Sequence, residues 1–274
     1  MITDVIINGA PSDGRIPVTD SSVLRGDGCF EVLKSYGGRA FAVGEHLDRL
    51  AASAAALRLE LPDRTELTSW VEKAASDVGD GAVRVVVTRG SAVPGHDQEP
   101  NVIVFGHSWD LDTAPTRLLP VAAPWHSAGE TWRLAGAKVT SYAANMSAGR
   151  EARDARFDDA LLLSVERLIL EGPTFAVAWM VDGVLETPGL DLGILDSITR
   201  RFVLELARAE PIEVVEGRWA LGRLELASEV MALSTIREVQ PVIAVGGLEW
   251  GPGPTTRMLA ERFAERVWLG TNQH

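Results

Sequence analysis

The sequence predicts an α+β chain in two lobes, and three observations carry that prediction. In the N-terminal part, strands and amphipathic helices are segregated and do not alternate one for one. A proline-bearing stretch, Asp110–Thr116 with Pro115, then interrupts the pattern. Beyond it, strand signals resume around an alanine-rich helix. The reading gives an N-terminal α+β lobe at 1–112, a linker at 113–117 and a larger lobe at 118–274.

Each element has a local cause. Residues 2–8 alternate loosely and end at Asn8-Gly9, a dipeptide suited to a two-residue hairpin. From Cys29 to Tyr36 the period is two. Phe30, Val32, Lys34 and Tyr36 share one face, Glu31, Leu33 and Ser35 the other, and Gly37-Gly38 turns the chain. A face with a lysine among aromatics reads either as a polar cavity wall or as a lysine snorkelling at a sheet edge. Apolar residues at helical spacing predict helices over 44–61 and 66–78, with Lys73 on the solvated face of the second. Strands follow at 82–88 and 101–105, joined by a loop carrying His96. In the second lobe, strands are expected at 117–123, in the run ending at Lys138, at 160–164, at 175–181 and at 229–233. Helices are expected at 141–156, 197–207 and 255–267, the middle one capped by Ser197. Ser234 to Pro241 reads as a loop.

Composition excludes several classes. Of 274 residues, 46% are hydrophobic and 23% charged, the balance of an ordinary globular protein. A net charge of −12 makes nucleic acid a poor partner. One cysteine, Cys29, excludes an internal disulfide framework and a cysteine metal cluster, and no metal-ligand set stands out. The first residues, MITDVIINGA, lack the basic and apolar regions of a leader, and no apolar run approaches a membrane span. A cytoplasmic location is expected.

The chemistry centres on Gly136–Thr174. Only three lysines occur, Lys34, Lys73 and Lys138, against more than twenty arginines. Lys138 sits among Gly136, Ala137 and Val139, which suits either a half-buried nucleophilic amine or a structural lysine whose stem packs on apolar surface. Ser197-Ile198-Thr199 opens a helix, where unpaired N–H groups and the positive dipole end favour an anion; both hydroxyls also suit plain caps. Glu171 reads as a turn glutamate, and His96 as a loop histidine facing either solvent or substrate.

Lys138-Val-Thr-Ser-Tyr142-Ala-Ala-Asn145-Met146, then Asp159-Ala-Leu-Leu-Leu, then Leu170-Glu171-Gly172-Pro-Thr174 resemble the core of the class IV aminotransferases. Further matches run from Gly26 to Pro241. The resemblance implies fold type IV, with a small N-terminal α/β sandwich lobe and a larger lobe with a mixed β-barrel-like core. It implies pyridoxal 5′-phosphate (PLP), with Lys138 as the Schiff-base amine and Glu171 as partner of the pyridine nitrogen. Ser197, Ile198, Thr199, Ser234, Thr235 and Arg49 would hold the phosphate, and Tyr142 would lie near the phenolic oxygen, one residue closer to the lysine than in branched-chain enzymes. Phe30, Val32, Lys34, His96 and Arg237 would face substrate. In D-amino-acid aminotransferases, which the loop to His96 resembles most, an arginine two residues before the histidine holds the substrate carboxylate; here it is Pro94, so either Arg237 supplies a carboxylate contact from another direction or the donor lacks a carboxylate. The implied activity moves an amino group from a D-amino acid, an (R)-type primary amine or a branched-chain amino acid to a 2-oxo acid. The alternative is 4-amino-4-deoxychorismate lyase. A homodimer is also implied, with the His96 loop reaching toward the neighbouring subunit's site.

Overall fold

The computed structural model describes residues 2–93, 99–109, 114–130 and 132–272. The chain divides into two compact units. One comprises Met1–Asp110, Ala137–Tyr142 and Val267–His274; the other comprises Leu111–Gly136 and Ala143–Arg266. The expected single passage at 113–117 is therefore replaced by an interleaved arrangement. Thr116 and Arg117, placed in the linker by the sequence reading, open a strand. Residues 137–142, assigned to the second lobe by that reading, belong with the first unit because β-bridging holds them there.

The first unit is an antiparallel six-stranded sheet. Its strands are β1 (Val5–Ile7), β2 (Ala10–Ser12), β3 (Gly28–Tyr36), β4 (Arg39–Ala40), β5 (Gly81–Thr88) and β6 (Asn101–His107), in the order β2-β1-β6-β5-β3-β4. Two hairpins form as expected: Ile7 pairs with Ala10 across Asn8-Gly9, and Tyr36 pairs with Arg39 across Gly37-Gly38. All four turn residues have positive φ, the geometry that matches sheet twist. A short helix, α1 (Ser21–Arg25), is capped by Asp20. Helices α2 (Val43–Leu57) and α3 (Arg64–Val78) cover one face. Cys29, Leu33, Val83, Val85, Val87, Val102 and Val104 pack there against Leu47, Leu50, Leu67 and Val71. Side-chain alternation leaves Phe30, Val32 and Tyr36 half-buried on the opposite face, as the period-two reading requires.

The second unit is an eight-stranded mixed sheet. It comprises β7 (Thr116–Ala122), β8 (Asp159–Leu163), β9 (Ala176–Val181), β10 (Val184–Pro188), β11 (Glu213–Gly217), β12 (Glu229–Ser234), β13 (Glu238–Val245) and β14 (Leu248–Glu249). The order is β11-β10-β9-β12-β13-β7-β8, with β14 on β13. Pairing is parallel for β10/β11, β13/β7 and β7/β8, and antiparallel elsewhere. The segment following β8 joins the ends of this path. Leu170 N–H donates to Leu162 and Leu162 N–H to Glu171, while Ile169 N–H donates 2.7 Å to the Trp219 carbonyl beyond β11. The interior holds Leu118, Leu161, Ile169, Phe175, Trp179, Leu224, Val230 and Val242. Helix α4 (Ala143–Asp154) packs Ala148 and Ala152 on the outer face with Ala160, Leu162 and Leu170. With both faces covered, β8 is buried throughout, which explains its unbroken Ala-Leu-Leu-Leu run. Two helices complete the chain, α5 (Ile198–Ala209) and α6 (Pro254–Asn272).

Two sequence expectations are corrected here. Ser234 to Pro241 is not one loop, because β13 begins at Glu238 and only 235–237 turn. Pro241 is accommodated because pairing of β13 with β7 begins only at Val242, so the missing N–H removes no ladder bond on that side. The run ending at Lys138 is not a strand but a series of turns leading to an isolated bridge between Val139 and Cys29. Among the described residues, no helix is long and apolar enough to cross a membrane.

Candidate active site

Lys138 is held by its backbone at both ends. Its N–H donates to Ser53 Oγ at 3.0 Å, and its carbonyl accepts from Phe30 N–H at 3.0 Å. Thr140 continues the attachment: its N–H reaches the Gly28 carbonyl at 2.8 Å and its hydroxyl the Gly26 carbonyl at 2.8 Å. Gly28 is required at this crossing, because a Cβ there would strike the Val87 carbonyl of β5. So anchored, the half-buried side chain sets Nζ 4.6 Å from the Phe30 ring centroid and 5.7 Å from that of Tyr142. The two rings meet edge to face at 5.4 Å. Phe30 and Tyr142 thus form an aromatic seat that attracts an ammonium and accommodates its apolar stem.

On the helix-facing side of β3, Glu31 is fully buried against α2. Arg49 grips it with Nε and Nη2, both at 2.7 Å, and His46 Nδ1 lies 2.8 Å from Oε2. Burial alone would raise the Glu31 pKa, but the charge and hydrogen bonds of Arg49, with His46, hold it at about 2. Burial pushes the His46 pKa down, so the ring is neutral at pH 7 and donates from Nδ1 to the carboxylate. Cys29, beside the Val139 bridge, has its thiol pushed up to about 12 by burial and then by Glu31, which leaves it protonated and unreactive. One edge of Arg49 is committed to Glu31. Lys34 is buried, with Nζ 4.9 Å over the Tyr36 ring.

In the second unit, Glu171 lies on the segment that joins the ends of the sheet path. Leu195 N–H donates to Oε2 at 3.2 Å, and His126 Nε2 stands 3.5 Å from Oε1; the Glu171 side chain is 15% exposed. Gly172 follows because a Cβ there would overlap the Phe175 ring. Asn145 donates from Nδ2 to the Pro173 carbonyl at 3.4 Å, which gives the asparagine of the Lys138 motif a structural task. At the start of α5, Ser197 Oγ accepts from Arg200 N–H at 3.3 Å, and Thr199 is buried at the first turn. The other first-turn amides have no carbonyl within the helix to meet, which suits an anion. Ser234 Oγ is engaged by Arg237 N–H at 3.1 Å, across the β12–β13 turn that carries Thr235. The Arg237 guanidinium pairs with Asp159, donates to Gln240 at 3.1 Å and covers the Phe175 ring at 4.5 Å.

The structure therefore gathers Lys138, Phe30, Tyr142 and Arg49 in one unit, and Glu171, Ser197, Ile198, Thr199, Ser234, Thr235 and Arg237 in the other. Val32 stays on the Phe30 face of β3; His96 and Pro94 lie outside the described residues. Sequence reasoning missed Glu31 and His46. Glu31 did leave a signal, as a charge alternating with Cys29, Leu33 and Ser35 on the strand face turned to the helices. His46 left another by standing one turn before Arg49. His126 left none.

Comparison with known proteins places this geometry. The model of the family Amino-transferase class IV matches residues 28–245. D-alanine aminotransferase of Listeria monocytogenes is 30% identical over 93% of this chain and 92% of its own length. A fold IV-transaminase from Curtobacterium pusillum superposes with a TM-score of 0.86 at 28% identity, over 97% of this chain and 98% of that one. A hypothetical aminotransferase from Mycobacterium tuberculosis, solved in PLP-bound form, gives 0.87 at 25% identity over 96% and 98%. The residues present fit that cofactor. Lys138 offers an amine on an aromatic seat, the α5 terminus offers amides and hydroxyls to an anion, and Glu171 offers an anchored carboxylate with part of its surface accessible. Matched over most of its length in both sequence and fold, the chain belongs to the class IV aminotransferases, PLP-dependent enzymes of fold type IV.

Proposed function

We propose that the chain is a transaminase that takes an amino group from a D-amino acid, an (R)-type primary amine or a branched-chain amino acid and delivers it to a 2-oxo acid. The observation that carries this is Lys138, backbone-clamped between Ser53 and Phe30 with its amine over two aromatic rings. When bound, PLP supplies an electron sink for charge developing at the substrate Cα. Lys138 Nζ would hold the cofactor and would carry the proton at the substrate Cα. Glu171 holds the proton at the pyridine nitrogen by charge. The α5 terminus with Ser197, Ile198 and Thr199 would hold the phosphate, with Ser234, Thr235 and Arg49. Tyr142 and Phe30 keep Nζ in place between turnovers. Phe30, Val32 and Lys34 line the donor side. A carboxylate-bearing donor must compete with Asp159 for Arg237.

The test is the visible spectrum of the PLP-loaded protein on separate addition of D-alanine, L-leucine and (R)-1-phenylethylamine. We expect D-alanine, the substrate named for the Listeria relative, to replace the long-wavelength band with that of pyridoxamine phosphate. Lys138→Ala should slow that conversion by at least about 10²-fold. An unchanged band with all three donors would overturn the transaminase reading, and pyruvate release from aminodeoxychorismate would then favour the lyase. We further propose a homodimer, which light scattering showing a fully active monomer would refute.

A further inference from the structure

We propose that His126 is the positioning residue for Glu171, fixing the orientation of the carboxylate. The inference rests on the proposed role of Glu171 at the pyridine nitrogen.

The turn after β7 is shaped for this. His126 N–H donates to the Ala123 carbonyl at 3.0 Å, and the chain then passes through Ala128 and Gly129, both at positive φ (50° and 101°). For Ala128 this region is unfavourable, so the turn is held by what surrounds it. Its shape directs the Ala128 N–H onto His126 Nδ1 at 3.3 Å. A ring nitrogen that accepts a hydrogen bond carries no proton, which leaves Nε2 as the proton-bearing nitrogen. That atom faces Glu171 Oε1 at 3.5 Å. Both side chains are largely sheltered, at 11% and 15% exposure, so a donor there meets little competition from water.

The same turn is fastened on the far side of Glu171. The Trp125 indole N–H donates to Asn145 Oδ1 at 3.0 Å, and Asn145 donates on to the Pro173 carbonyl, two residues beyond Glu171. Leu195 N–H donates to Oε2, and His126 Nε2 stands beside Oε1 within ion-pair distance. Each oxygen keeps a second lone pair for a further partner. The pair resembles the way a second group fixes the tautomer and angle of a ligand that does the binding.

The experiment measures PLP affinity of the refolded apo-protein by absorbance titration for wild type, His126→Phe, His126→Gln, Glu171→Gln and the double variant His126→Phe/Glu171→Gln. We expect His126→Phe to weaken PLP binding about tenfold. His126→Gln, whose amide keeps a donor, should recover most of that loss. In the Glu171→Gln background, His126→Phe should have no further effect, because its target carboxylate is gone; a merely structural histidine would cost the same in both backgrounds. Wild-type affinity in His126→Phe, with a loss in Glu171→Gln, overturns the inference and leaves the reading of Glu171 intact. Wild-type affinity in Glu171→Gln removes that reading and this one with it. Should His126→Phe fail to fold, side-chain ¹⁵N spectra of the wild-type protein decide: a proton on Nε2 with a bare Nδ1 upholds the proposal, and a proton on Nδ1 overturns it.

Discussion

Glu31 keeps a full negative charge with no solvent around it, and this makes the first unit acid-sensitive. Its folded pKa of about 2 lies below the ordinary 4.5, so the stability it contributes is present above 4.5 and drains away as pH falls toward 2. His46 acts earlier in the same direction. Its folded pKa lies below 6.5, so the unfolded chain takes up the proton more readily, and stability falls as pH drops through and below 6.5. Urea midpoints of the apo-protein should fall from pH 7 to pH 5 and fall again below pH 4.5. His46→Gln should flatten the first descent. Glu31→Gln should remove the second and, because it takes away the buried carboxylate that Arg49 and His46 share, should cost on the order of 3–5 kcal/mol at pH 7. Sequence reading found Arg49 through family pattern, and alternation put Glu31 on the face of β3 opposite Phe30, but nothing local joins the two. Arg237 teaches the same lesson. Its charge looked available for a substrate carboxylate, yet Asp159, 78 residues earlier, meets it across the sheet. Long-range ion pairs leave no periodicity to read.

Elements were more legible than their edges. Period two fixed β3 and the face shared by Phe30 and Val32, and the Ser197 cap fixed the start of α5, because both signals are carried by neighbouring residues. Where an element depends on pairing, sequence failed. Glu238 has φ of 55°, a turn conformation, yet β13 starts there because β12 pairs with it; Lys138 looked like a strand end and is placed instead by docking onto Gly28–Phe30. At this scale two substitutions are informative. Ser197→Ala removes the cap of α5 and should lower stability by about 1 kcal/mol, read as a shift in the apo-protein unfolding midpoint. Gly172→Ala forces a methyl into the Phe175 ring, which also supports Arg237. It should destabilise by about 1–3 kcal/mol and weaken PLP retention, since Glu171 shares the displaced turn; PLP titration beside thermal unfolding separates the two effects.

For the molecule as a whole, composition and family pattern yielded the fold type, while the path of the chain between units was hidden. Residues 137–142 and 267–274 return to the first unit. Thr140 and Lys138 supply partners to Gly28 and Phe30, and Arg39 donates to the Thr271 carbonyl at 2.8 Å while Gly270 lies against Phe41. A fragment of residues 1–112 lacks all of these, and its β3 margin beside Cys29 lies bare. We expect that fragment to aggregate or to unfold at markedly lower urea than the intact protein. A cooperative transition at the full-length midpoint would show that the returning segments contribute nothing.

The returning segments also impose an order of events on the ribosome. When Asp110 has emerged, the first unit still lacks its lysine-bearing edge, and its last residues follow only after about 160 more have been made. At roughly 5–20 residues per second that is a wait on the order of 10–30 s, long beside the time a sheet needs to form. The β3 margin is exposed during the early part of that wait and is covered once residue 140 leaves the exit tunnel. Nascent chains stalled before and after that point should therefore differ in protease sensitivity within the first 110 residues, and the amine of Lys138 reaches its aromatic seat only when the wall that receives it is already standing.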